Sequence, residues 1–505
     1  MDLVEEYEIG ATADFIHSGN FFRVGLQFPD NLLKDSTKVV AALRTQLQSF
    51  RKLEGTEYGD EKDVGLFVMA DTTYGSCCID EVGASHINAD CVIHYGHTCL
   101  SSTTTLPAFF VFGKASIDVV NCAENILNQS LTEGNRILVL FGLEYAHSVQ
   151  QIREALSEAT RASRSDPQLE VLFADVSSPV MYPSKDLHNL NEHHKPAGGC
   201  THDYKFGVES GTKYKSGGLF WNLPGGQSME DFMVFWIGPD NSAFANVVLT
   251  FNSCEIVRYD PSENRMVTDL SQQRRILKRR YYLVERAKDA KIIGVLVGTL
   301  GVAGYLHMIQ QMKELIAGAG KKAYTMVMGR PNPAKLANFP ECDVFVYVSC
   351  AQTALLDSKE YLAPVITPFE ALLAFSSGSQ WTGAYVMEFQ DLINTSPVGK
   401  RNQSEEARFS FLQGRYVEDF NLQENVEEEN GALALVNATE KALQLHDNSN
   451  SLIKGNARSG AEFFASRSYQ GLDMYNENPL PQPYFKGRSG RASGYEDEKS
   501  RDEIS

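Results

Sequence analysis

The chain has 505 residues and 43% hydrophobic content, enough to bury real cores and, at roughly 150 residues each, to form about three domains. Its formal net charge is −18 at pH 7 and the acidity is spread along the chain, which argues against a nucleic-acid binder with a clustered basic face. No stretch approaches the roughly 20 apolar residues of a membrane span, and residues 1–10 are acidic without an apolar signal core, so a cytoplasmic protein with neither nucleic-acid nor membrane partners is expected.

In chain order, 23–28 reads as a strand, 34–50 as a helix, and 64–69, 91–95 and 108–112 as further strands, each a short run rich in Val, Ile and Phe of the kind buried in parallel sheets. The alternation continues with a helix at 117–127, a strand at 136–143, a helix at 148–159 and a strand at 169–174. A polar insertion near 177–229, rich in Gly, His, Lys and Asn, reads as a long loop, and 232–237 and 247–251 read as the next strands. A helix over 270–288 follows, whose Arg274, Arg275, Lys278, Arg279 and Arg280 read as a solvated basic face, with a local anion or acidic-partner site as the alternative. Then come strand 292–297, helix 305–318, strand 324–328, helix 334–339, strand 344–348 and a last strand at 365–367. Beyond residue 401 the pattern decays to one helical patch at 432–445 and a disordered stretch from 466 onward.

The expected fold class is therefore α/β, with three similar Rossmann-like domains whose small parallel sheets surround a central site. They span 1–115, 116–268 (carrying the insertion) and 269–400, and are followed by a partly helical, then disordered tail at 401–505. The shared strand–helix period suggests three copies of one unit, although no residue-level repeat shows it.

Nine cysteines in a reducing compartment point to metal ligands or buried thiols rather than disulfides. Cys91, Cys122, Cys254 and Cys342 sit in or beside apolar runs and read as core residues. Cys78, Cys99 and Cys350 each follow the end of a strand, where α/β proteins collect ligands. Gly75 lets the loop before the first of these turn sharply. Of the adjacent Cys77 and Cys78, one is expected to be the ligand while the other packs inward or substitutes for it. Three soft thiolates suit a 4Fe-4S cluster or zinc, although no Cys-x2-Cys pair favours zinc. Unrelated buried thiols are the third reading.

His94 and His97 flank the second cysteine and read as structural, with a hydrogen bond or a fourth ligand as the alternatives. His193, His194, Cys200 and His202 crowd a polar loop and superficially resemble a zinc ligand set, but without flanking strand or helix patterns they read as a solvated insertion. Gly298, Gly301 and Gly304 follow a strand as phosphate-binding loops do, but their spacing and the Lys321–Lys322 pair where an acidic residue belongs favour close packing instead.

The motifs Asp71-Thr-Thr-Tyr-Gly-Ser-Cys-Cys-Ile-Asp80, His94-Tyr-Gly-His-Thr-Cys-Leu-Ser101, Gly298-Thr-Leu-Gly-Val-Ala-Gly-Tyr305, Gly329-Arg-Pro-Asn-Pro-Ala-Lys-Leu336 and Pro364-Val-Ile-Thr-Pro-Phe-Glu370 together resemble the diphthamide synthesis family, in its second-subunit branch. The segment from Phe235 to Val247 is most similar to plant members. The resemblance implies three α/β domains around a 4Fe-4S cluster and a heterodimer with a catalytic first subunit. It implies transfer of a 3-amino-3-carboxypropyl group from S-adenosylmethionine to a histidine of translation elongation factor 2. It also implies Cys78, Cys99 and Cys350 as cluster ligands, with Cys77 as the alternative to Cys78. In the catalytic relatives each domain supplies one cysteine, whereas the middle domain here has no thiol at a clear strand end, Cys200 being the remote candidate. That departure implies an accessory redox subunit, fed by an electron-donor protein, in which binding of S-adenosylmethionine to this chain is open. A structural, non-redox partner or a zinc-bearing scaffold is the alternative.

Overall fold

The computed structural model describes residues 2–417 apart from 54–62, 71–73, 134–135, 163–169, 184–211, 269, 357–359, 377–378, 380, 382, 384, 396–407 and 411–413. Three sheets dominate it, each with a core of four parallel strands. The first contains Arg23–Gln27, Gly65–Met69, Cys91–Tyr95 and Ala108–Val111. The middle one contains Arg136–Phe141, Val171–Phe173, Phe232–Ile237 and Ile256–Asp260, and the third Ile292–Val297, Lys322–Val327, Val344–Val348 and Val365–Ile366. Numbered within each sheet, all three run in the order 2-1-3-4. An antiparallel strand extends two of them: Val180–Met181 pairs beside Ala108–Val111, and Arg265–Val267 beside Ile256–Asp260. The common order is the repeat that no residue-level similarity reveals.

The order places strands 1 and 3 side by side with strand 2 on the far flank, so the chain leaves the sheet centre in opposite directions, and a crevice opens at the carboxyl ends. Register fixes what lies there. In the first sheet Gln27 pairs with both Met69 and His94, so the loops after Met69 and Tyr95 emerge on either side of Gln27. Phe232–Ile237, Ile292–Val297 and Val344–Val348 are buried along their whole length, as central strands covered on both faces must be.

The structure departs from the sequence reading in several places. The run at 247–251 is not a strand: Ser242–Thr250 is a helix whose N-cap Asn241 accepts a hydrogen bond from the Phe244 N–H, and the strand at this place is Ile256–Asp260. A short, mostly apolar run does not reveal its own period. The insertion is not all loop. Thr212–Ser216 and Leu219–Leu223 form a hairpin that also pairs with Asp175–Val176. Its two-residue turn, Gly217-Gly218, has positive φ at both positions, as a tight hairpin following strand twist requires. The basic helix Leu270–Lys288 is not solvated throughout either, because Arg280 is buried. Helices Ile9–Ser18, Pro368–Phe375 and Phe389–Thr395 and the small hairpin Arg408–Ser410 with Arg415–Val417 were not anticipated. The helical patch at 432–445 and the tail from 466 lie outside the described residues.

Candidate metal centre

Two loops of the first sheet and one of the third meet at a single buried point. Cys77 and Cys78 follow strand Gly65–Met69, Cys99 follows Cys91–Tyr95, and Cys350 follows Val344–Val348. One sulfur from each of the four lies within 4.8 Å of all the others. The Sγ of Cys77 is 3.4 Å from that of Cys350, the Sγ of Cys78 is 3.6 Å from that of Cys99, and Cys77 and Cys78 are 4.0 Å apart. All four residues are buried. One of the adjacent pair is expected to be the ligand while the other packs inward or substitutes for it; both face this point. The reason is local: the Cys78 N–H bonds to the Gly75 carbonyl, a turn in which successive side chains need not alternate as they do along a strand.

Hydrogen bonds from the scaffold hold the first loop. Gln27 donates from Nε2 to the Cys78 carbonyl (2.8 Å) and accepts from the Asp80 N–H (2.9 Å). His94 Nε2 donates to the Ser76 carbonyl at 2.9 Å, and the Thr98 hydroxyl and the Cys99 N–H both donate to the Cys77 carbonyl. On the other side, Arg330 Nε donates to the Tyr74 carbonyl. Gly301 packs on the loop so closely that a Cβ there would stand 2.0 Å from the Ile79 carbonyl oxygen. The glycine-rich turn is therefore a seat for the cysteine loop, and Gly304, at φ +87°, caps the following helix. The Ala303 N–H completes the contact by donating to Ser102 O.

The middle sheet contributes support rather than sulfur. From helix Ser242–Thr250, Asn246 donates to the Ala351 carbonyl at 2.8 Å and Ser242 bonds to Gln352 at 3.2 Å, so both brace the Cys350 loop. The turn after strand Phe232–Ile237, where the other two sheets carry Cys99 and Cys350, reads Gly238-Pro239. Cys122 and Cys254 lie in the core around this sheet, and Cys91 and Cys342 are likewise core residues. Cys200, His193, His194 and His202 lie outside the described residues. His97 is exposed, whereas His94 is buried behind the cysteine loop.

Cys77, Cys78 and Cys350 shift one another's acidity. Hydrogen bonds from Cys77, Cys78 and Cys99 hold the Cys350 thiol well below its ordinary range. Cys77 and Cys78 are pushed well above theirs, chiefly through their bonds to Cys350. Cys350 is thereby a more readily ionised thiol than Cys77 and Cys78 beside it, and a metal entering the site displaces thiol protons. Donor chemistry fits either an iron–sulfur cluster or a single tetrahedral ion. The spacing is as short as one ion at about 2.3 Å from each sulfur would set, and the same four thiolates would hold an iron–sulfur cluster.

Three loop-borne cysteine positions at the meeting of 2-1-3-4 parallel sheets define an α/β protein built around a shared thiolate site. Residues 28–386 match the family model described as "Putative diphthamide synthesis protein", and the chain belongs to that family. It is 34% identical to 2-(3-amino-3-carboxypropyl)histidine synthase subunit 2 of Danio rerio, over 99% of this chain and 93% of that one. With the protein of the same name from Schizosaccharomyces pombe it shares 32% identity over 100% and 93%. Among solved structures, Dph2 from Pyrococcus horikoshii with a 4Fe-4S cluster superposes with a TM-score of 0.50 at 19% identity, covering 76% of this chain and 94% of that one.

Sequence reasoning missed the residues that position the thiols. Gln27 carries no motif, being one polar residue at a strand end, and Thr98 lies in the motif at 94–101 without any local sign of its role. Gly301 stood out for its spacing, but its role is to admit a carbonyl rather than a phosphate.

Proposed function

We propose that this chain is the iron–sulfur subunit of the heterodimeric enzyme that begins diphthamide synthesis, transferring a 3-amino-3-carboxypropyl group from S-adenosylmethionine to a histidine of translation elongation factor 2. Its role is accessory: one electron arrives from an electron-donor protein and passes on to the cluster of the catalytic first subunit. Cys78, Cys99 and Cys350 hold the cluster, which when bound supplies a one-electron redox centre. The observation that carries the reading is the convergence of buried thiols from two sheets on one point, in a chain whose relatives are named as subunit 2 of the histidine-modifying synthase. The chain's own residues shape that chemistry. Gln27, His94 and Thr98 fix the backbone under the first two thiols, and Asn246 and Ser242 fix the third. The dry surroundings exclude water from the centre.

A cytoplasmic setting fits free, buried cysteines throughout the described residues. No helix among them is long and apolar enough to cross a membrane. The short sulfur spacing favours one competing reading, a zinc scaffold with no redox role.

Replacing Cys78, Cys99 and Cys350 singly by Ala, then assaying partner-dependent modification of elongation factor 2 at limiting reductant, tests the proposal. Slower turnover with the heterodimer intact is expected. Variants equal to the parent in iron content and turnover would refute the relay.

A further inference from the structure

We infer that Cys77 is a fourth ligand, so that this chain closes its metal centre entirely with its own thiolates and leaves no coordination position for a substrate. The inference rests on the iron–sulfur reading above and deepens it. Cys77 is not a spare copy of Cys78 turned elsewhere. Its sulfur lies 3.4 Å from that of Cys350, while Cys78 contacts Cys99 at 3.6 Å. The two adjacent sulfurs thus face one shared site, Cys77 nearest Cys350 and Cys78 nearest Cys99. Both are as buried as the other two, at 3% and 5% exposure against 5% and 2% for Cys99 and Cys350.

The turn closed by the Cys78 N–H and the Gly75 carbonyl makes this double approach possible. A Cβ at Gly75 would press on the Thr353 methyl at 3.2 Å and stand in ordinary contact with the Cys77 sulfur at 3.5 Å, so the loop is packed closely against the Cys350 loop. Among the described residues, the side-chain hydroxyls bonded to these sulfurs are Thr353, 3.2 Å from Cys350, and Thr299, 3.9 Å from Cys78. Neither competes with a thiolate for a soft metal. The topology supplies the complement. Where the first and third sheets place a cysteine after strand 3, the middle sheet has Gly238-Pro239, and the doubled cysteine of the first loop restores the lost sulfur and adds one.

A centre with four protein thiolates differs in kind from one with three. A closed site serves structure or electron passage, and an open one binds and activates a ligand. The catalytic role therefore falls to the partner subunit because this chain's centre has no vacancy, not because a ligand is misplaced.

The test uses the full-length chain purified without oxygen, with ferricyanide and S-adenosylmethionine as probes. The parent's cluster is expected to survive mild ferricyanide without shedding iron. Its reduced electron paramagnetic resonance spectrum should not shift when S-adenosylmethionine is added. Cys77→Ala is expected to keep a cluster but lose one iron on the same treatment, with appearance of the three-iron signal. A parent that sheds iron as readily as Cys77→Ala, or whose spectrum shifts with S-adenosylmethionine, overturns the fourth ligand while leaving the cluster reading intact. A parent with no iron–sulfur absorbance overturns the cluster reading itself. The parent measurements need no variant, so misfolding of Cys77→Ala does not blunt the test.

Discussion

Gly301 of the third sheet's first loop lies against Ile79 of the first sheet's cysteine loop, with room between them for the Ile79 carbonyl and for no Cβ. Because the obstacle is backbone on a loop already tied by Gln27, it cannot swing aside as a side-chain tip would. Gly301→Ala is expected to cost about 1–3 kcal/mol by overpacking and to lower metal content, since the displaced loop carries Cys77 and Cys78. Thermal unfolding and metal analysis of the purified variant check both effects.

Gln27 ties strand Arg23–Gln27 to the same loop with a donor and an acceptor. Gln27→Leu keeps the volume but leaves the Cys78 carbonyl and the Asp80 N–H without these partners, at a cost of about 1–3 kcal/mol for each buried group left unsatisfied. Metal retention against a competing chelator should fall, while Gln27→Glu, which preserves only the acceptor, should fall between the two.

Much of the fold could be read from the residues. The buried runs at 23–28, 91–95, 292–297 and 344–348 announced themselves by composition and length, and Cys78, Cys99 and Cys350 by their place after such runs. What stayed hidden depends on tertiary context. The run at 247–251 has apolar residues on every face and carries no period, so only its cap at Asn241 distinguishes helix from strand. Whether Cys77 faces Cys350 is settled by a backbone turn around Gly75, which adjacent cysteines in a written sequence cannot convey. Arg280 looked like its basic neighbours because nothing local indicates that Glu370, 90 residues away, will meet it.

That pair joins helix Leu270–Lys288 to helix Pro368–Phe375. Arg280 Nε donates to Glu370 at 2.6 Å, and a second guanidinium nitrogen bonds the other carboxylate oxygen, with Glu370 fully buried. Glu370 also closes the capping box of its own helix with Thr367. Arg280→Met strands a buried carboxylate and should destabilise the chain by about 3–5 kcal/mol, whereas replacing both partners by apolar residues should recover much of the loss. Chemical denaturation of the two variants makes the comparison.

His94 gives the fold a pH dependence. Burial holds its pKa down to about 4 from 6.5, so the folded protein keeps the ring neutral while the unfolded chain takes up a proton as pH falls below about 6.5. The unfolded state then binds more protons, so this contribution is full above pH 6.5 and is lost as pH falls toward 4, to a total of about 3 kcal/mol. Denaturant midpoints measured from pH 7 to pH 4.5 should fall in the parent, and less steeply in His94→Gln.

The central claim is that the four converging sulfurs hold an iron–sulfur cluster that passes electrons. It is met most directly by purifying the chain under anaerobic conditions and recording its visible spectrum beside its iron and zinc content. The account predicts a brown protein rich in iron and acid-labile sulfide, whose broad absorbance bleaches with dithionite and returns on reoxidation. A colourless protein carrying one zinc per chain would contradict it.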